Sequence, residues 1–160
     1  MSQLEELEAI KRLKYRYQRY LDCKLWDELR LLFTEDATVG YDSGRHSATG
    51  PDRIIEFLRG TLARTDVVGM HQVHCPEIEI TSATAARGVW YLHDFVVNPG
   101  EESGGMPARS LLQGAGFYED RYVKVKDSWK IQHTGYERTF ELIVPLESGP
   151  GVALRSRWNP

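Results

Sequence analysis

Apolar residues recur every three or four positions through Leu4, Leu7, Ile10, Leu13, Tyr17 and Leu21, while Glu6, Lys11 and Arg12 take other faces. That spacing predicts an amphipathic helix over 3–22. A second, shorter helix follows, with Trp26, Leu29, Leu32 and Phe33 as its apolar side, and the Ala37–Tyr41 stretch reads as extended. Gly50-Pro51 opens a third helix, because proline's missing N–H has no partner to lose in the first turn. Ile54, Ile55, Phe57 and Leu58 supply its buried side.

Beyond residue 70 the period changes to two. Ile78 and Ile80 alternate with polar neighbours, and runs rich in Val, Trp, Tyr and Phe cover 84–97, 110–125 and 129–140. Lys126-Asp127-Ser128 reads as a hairpin turn, and the Gly- and Glu-rich Pro99–Pro107 segment as a loop between two long strands. Helices followed by antiparallel strands predict an α+β fold with the helices on one face of the sheet. Strands this long exceed the usual length of about five or six residues, so the sheet must curl. Gly114 and Gly116 lie inside one of them, where glycine marks a bend or a close approach. A curled sheet closed by helices leaves a concave space suited to an apolar ligand.

Composition narrows the function classes. A chain of 160 residues fits one domain with one core, read here as a single domain with its core over about 7–141 and a C-terminal tail over 142–160. Its 20 basic residues face 23 acidic ones, which leaves no basic footprint for nucleic acid and no polybasic strip for a membrane surface. Cys23 and Cys75 form neither a metal spacing nor a redox pair, so a reducing cytoplasm is the default compartment. The acidic start Met1-Ser2-Gln3-Leu4-Glu5-Glu6 lacks the form of a secretory signal, and no apolar run is long enough to span a bilayer.

Four ionisable residues fit poorly into a plain core: Asp22, His71, Asp94 and Arg138. Strand alternation puts Asp94 on one face with Trp90, Leu92 and Val96, and a carboxylate among such neighbours needs a partner. A histidine is the usual partner where the work is proton transfer. Asp94 also fits a strand rim, Arg138 a surface charge, Tyr17 a core position with its hydroxyl at the edge, and Asp22 an ordinary helix end. His46 and His133, each alone, read as surface or satisfied-core histidines, dispensable for turnover. His71 and His74 frame a His-x-x-His, but no Cys or His cluster completes a coordination set, so no metal is expected.

Several motifs carry a family resemblance. They are Ala9-Ile10-Lys11 with Leu13-Lys14, Tyr17, Leu21-Asp22, Trp26-Asp27-Glu28-Leu29, Met70-His71 with His74, Pro76-Glu77-Ile78, Trp90-Tyr91-Leu92 with Asp94, and Gly135-Tyr136 with Arg138. Together they resemble the SnoaL-like branch of the nuclear transport factor 2-like superfamily over about residues 7–141. Within it they are most similar to bile acid 7α-dehydratases and more distantly to scytalone dehydratases. The resemblance implies a cone-shaped α+β barrel, with N-terminal helices packed on a curled, mostly antiparallel sheet around a pocket. It implies an active site of Tyr17, Asp22, His71, Asp94 and Arg138, all of whose residue types are retained. It implies cofactor-independent elimination of water from a hydroxylated, ring-containing carbonyl compound, steroid-like or polyketide-like and in some cases a coenzyme A thioester, by a homotrimer. Residues 98–110 and those after Leu142 depart from the pattern, which leaves substrate identity open.

The chemistry divides into three tasks: a base for a weakly acidic C–H, a donor to the developing enolate, and a proton for the leaving hydroxyl. His71 suits the proton shuttle. Asp94 or Asp22 would hold its tautomer, Tyr17 would donate to oxyanion charge, and Arg138 would steady an anion or the carboxylates. His71 and Asp94 should both face the cavity, within reach of a shared hydrogen bond or one bridging water. A ketosteroid isomerase-like enzyme, a polyketide cyclase and a non-catalytic small-molecule-binding domain on the same fold are the alternatives.

Overall fold

A computed structural model describes residues 2–146 and 154–158. Helix α1 (Gln3–Asp22) begins at Ser2, whose side chain accepts from the Glu5 N–H while the Glu5 carboxylate accepts from the Ser2 N–H. This reciprocal cap satisfies two helix-end donors. One stripe of α1 is buried: Ile10, Leu13, Lys14, Tyr17, Gln18 and Leu21. Helix α2 (Trp26–Arg30) has five residues and ends sooner than the periodicity suggests. Phe33 belongs instead to strand β1 (Phe33–Tyr41), because the Ile131 N–H donates to the Leu32 carbonyl and Phe33 pairs with Ile131. Sheet pairing there outweighs a helical pattern carried by four residues.

Strand β2 (His46–Thr49) has no counterpart in the sequence reading, because its four mostly exposed residues show no apolar alternation. Helix α3 (Pro51–Leu62) starts on Pro51 and buries Ile54, Ile55 and Leu58. The long strands follow: β3 (Val68–Ser82), β4 (Ala85–Asn98), β5 (Ser110–Val125) and β6 (Ser128–Pro145). Lys126 and Asp127, both at positive φ, form the two-residue turn between the paired Val125 and Ser128. Left-handed backbone at both positions matches the twist of the flanking strands. The sheet order is β2-β1-β6-β5-β4-β3, antiparallel except for the β1–β6 pair.

The three helices cover one face of this sheet, and the core lies between the layers. A polar chain crosses it. Trp90 Nε1 donates to the Tyr122 hydroxyl, which donates to Asp120, and Lys14 Nζ sits 2.8 Å from Asp120 and 3.2 Å from Thr134 Oγ1. Burial pushes the Lys14 ammonium pKa down, partly offset by Asp120. Among the described residues no helix is long and apolar enough to cross a membrane.

Candidate active site

Three rows of side chains cross the inner face of β4, β5 and β6 and build the pocket floor. The innermost pairs Trp90 with Tyr118 and Tyr118 with Tyr136. The middle row holds His71, Asp94, Gly114 and Glu141 as successive cross-strand neighbours, and the outer row holds Val96, Leu112 and Ile143. Because side chains alternate across a strand, this register delivers His71 and Asp94 to the same face, side by side. Tyr17 descends from α1 and Leu58 and Leu62 from α3, enclosing a cavity of about 220 Å³.

Four of the five residues singled out from sequence line this cavity: Tyr17, His71, Asp94 and Arg138. The fifth, Asp22, stands behind His71. His71 Nδ1 lies 2.6 Å from Asp22 Oδ1, and the His71 backbone N–H donates to Asp22 Oδ2 at 2.9 Å. A carboxylate only accepts, so Nδ1 carries the proton, and in the neutral ring the lone pair is on Nε2. Gly69 leaves room for the pair: a Cβ there would lie 3.0 Å from His71 Cε1 and 3.4 Å from Asp22 Oδ1.

Asp94 does not share a hydrogen bond with His71. Arg138 takes it instead, donating from Nη1 to Oδ1 at 2.5 Å and from Nη2 to Oδ2 at 2.7 Å. The two-pronged geometry satisfies both oxygens of a carboxylate that is only 3% exposed. Burial opposes the Arg138 charge, but Asp94 outweighs it and holds the guanidinium pKa above its ordinary value. This clamp explains Gly114. Arg138 pairs with Gly116 in the ladder, and its guanidinium reaches over β5 to β4. A Cβ at Gly114 would fall 2.3 Å from Arg138 Nη1 and 2.7 Å from Asp94 Oδ1.

The Tyr17 hydroxyl is 2.8 Å from that of Tyr41. Burial pushes the Tyr17 pKa well above 10, so the group is a neutral O–H donor at physiological pH. Tyr41 lies outside the set drawn from sequence, as do Tyr118 and Tyr136, which also line the cavity. Their apolar alternation with core residues marks them as buried without marking them as functional. His46, set aside from sequence, lies on the cavity wall with its ring 5.4 Å from Phe57. His133 bonds Thr38 instead. His71 and His74 point to opposite faces of β3, His71 inward and His74 outward toward Tyr91, which keeps them from sharing one ion. Among the described residues no group of three potential ligands gathers at one point.

Comparison with known proteins matches residues 2–135 to the family model of the SnoaL-like domain. Among solved structures, a scytalone dehydratase-like protein from Novosphingobium aromaticivorans DSM 12444 is 26% identical, with a TM-score of 0.72 over 94% of this chain and 97% of that one. A type 2 hexachlorocyclohexane dehydrochlorinase superposes with a TM-score of 0.75 at 16% identity, over 93% of this chain and 97% of that one. A LinA-type3 hexachlorocyclohexane dehydrochlorinase from Novosphingobium barchaimii LL02 gives 0.74 at 14% identity, over 96% of each chain. The two dehydrochlorinases share the fold, which is the nuclear transport factor 2-like cone.

Proposed function

The chain belongs to the SnoaL-like domain family, and on that premise we propose that it is a cofactor-independent dehydratase, a carbon–oxygen lyase acting on a hydroxylated, ring-containing carbonyl compound. One observation carries the reading: Asp22 holds Nδ1 of His71, so that the neutral ring has its lone pair on Nε2, in an apolar pocket that the hydrogen-bonded Tyr17 and Tyr41 also line.

His71 Nε2 removes the proton from the carbon beside the carbonyl. Asp22 stabilises the imidazolium that forms, as the third member of a triad does. The Tyr17 O–H, polarised through Tyr41, donates to the enolate oxygen where negative charge develops. The enolate expels the neighbouring hydroxyl, which leaves as water by taking the proton that His71 acquired. Proton count and charge close without a metal or an organic cofactor. With both oxygens bound by Arg138, Asp94 is not a second base. The clamp sets the electrostatics of the wall beside the imidazole and keeps that wall rigid.

Relatives named for loss of water and of hydrogen chloride support an elimination over the isomerase alternative. The test is incubation with hydroxylated oxo-steroids and polyketide-like ring ketones, free and as coenzyme A thioesters, with product masses read out. Loss of one water supports the dehydratase. An unchanged mass with a shifted double bond makes the protein an isomerase, and tight binding without turnover makes it a binding domain.

A further inference from the structure

The segment between β4 and β5 is built rather than loose. Ser103 and Met106 exchange both backbone hydrogen bonds, at 3.1 and 2.9 Å, around Gly104 and Gly105, which sit at φ +58° and +84°. This is a miniature hairpin, and left-handed backbone at both central residues suits glycine. Its base is tied from below. The Asn98 side chain, 0% exposed, donates to the Glu101 and Pro107 carbonyls, the Arg109 N–H donates to Gly100, and Arg64 donates to Glu101. Its tip docks on α3: Ser103 Oγ donates to the Thr61 carbonyl at 3.3 Å, and a Cβ on Gly104 would lie 2.6 Å from Thr61 Cα. Met106 turns inward from this hairpin onto the wall of the cavity that holds His71.

We propose that the Ser103–Met106 hairpin is the size filter of this pocket and that Met106 is the residue that determines ligand length. The proposal rests on the reading of this cavity as the substrate site. At interior packing density a carbon-sized atom occupies roughly 20 Å³, so the cavity of about 220 Å³ holds on the order of ten non-hydrogen atoms. That is about two fused rings, whereas a four-ring skeleton with its oxygens has about twenty such atoms. With the hairpin seated on α3 the pocket encloses a two-ring ligand and excludes the far half of a four-ring one. An unbranched methionine is a soft wall, readily shortened without disturbing the hairpin backbone.

The experiment measures Kd by calorimetry for tetralone, a two-ring ketone, and androstenedione, a four-ring ketone, with wild type, Met106→Ala and Gly104→Ala. Wild type is expected to prefer tetralone by about tenfold or more. Met106→Ala should tighten androstenedione by about tenfold while moving tetralone less than about threefold, the scale at which a few carbons of pocket wall discriminate. Gly104→Ala, which lifts the hairpin off Thr61, should shift the ratio in the same direction. An unaltered ratio in both variants, or a wild type indifferent to ring number, overturns the proposal. Water loss is scored separately by mass. For that score the substrates are the hydroxylated oxo-steroids and ring ketones of the activity panel, since tetralone and androstenedione carry no hydroxyl to lose. A shifted ratio without water loss from any hydroxylated ketone upholds the filter and removes the dehydratase; water loss with an unshifted ratio does the reverse.

Discussion

At the scale of single residues the site is a division of labour between two carboxylates that look alike in sequence. Asp22 gives both oxygens to His71, and Asp94 gives both to Arg138. His71→Ala should lower turnover by about 10²–10⁴-fold, the worth of one positioned proton-transfer group. Folding, followed by thermal denaturation, should change little, because the ring lines a pocket instead of filling the core. An unchanged rate would end the mechanism while leaving the fold untouched. Tyr17→Phe keeps the ring packing and removes the hydroxyl that meets Tyr41. Its loss should fall on kcat, by about 10²-fold, as for one oxyanion donor. A change confined to KM would move Tyr17 from catalysis to binding. Residue types at these positions were legible in the sequence. Tyr41 was not, because a tyrosine alternating with core residues has the same pattern whether or not its hydroxyl is used.

At the scale of elements, the strands position the site more than the helices do. The β3–β4 register sets His71 beside Asp94, and β5 lies between Asp94 and the strand that carries Arg138. Gly114 is the gap through which the guanidinium passes. Gly114→Ala should therefore displace the flexible end of Arg138, not the backbone, and the protein should still fold. Turnover should drop by at least about tenfold as the carboxylate loses its two-pronged partner. The comparison is with Arg138→Lys, which keeps the charge but cannot form both bonds. If Gly114→Ala were fully active, the clamp would not matter to the rate. Element boundaries were readable wherever a period extended over many residues, as in α1 and β4. They failed where few residues carried the pattern: α2 gave up Phe33 to the sheet, and β2 passed unnoticed.

At the scale of the whole molecule, five of the eight tyrosines carry raised pKa values: Tyr17, Tyr41, Tyr118, Tyr122 and Tyr136. Burial is the first cause in each, and Tyr136 is pushed up to about 12. A folded pKa above the unfolded value of about 10 means that the folded state holds the proton more tightly. The stability this contributes is complete below about pH 10 and is lost as pH rises from there through the folded values. An alkaline titration should show phenolate absorbance from these residues appearing together with loss of near-ultraviolet circular dichroism. Their ionisation in a protein that stayed folded would contradict the burial.

The outer sheet face carries Tyr91, Phe140, Leu142 and Val144, all substantially exposed. Such a strip is a candidate contact surface, and sedimentation would measure whether copies of the chain associate.

What the chain decided by itself was the order and kind of its long elements and the need for a curled sheet. These are written in neighbours a few positions apart, where periodicity and turn chemistry act. What only the tertiary structure decided was which acid serves which base. Asp22 and His71 lie 49 positions apart, and Asp94 and Arg138 lie 44 apart. Partner choice over such spans depends on strand register, on where α1 ends above β3, and on the missing side chain of Gly114, none of which a local pattern encodes.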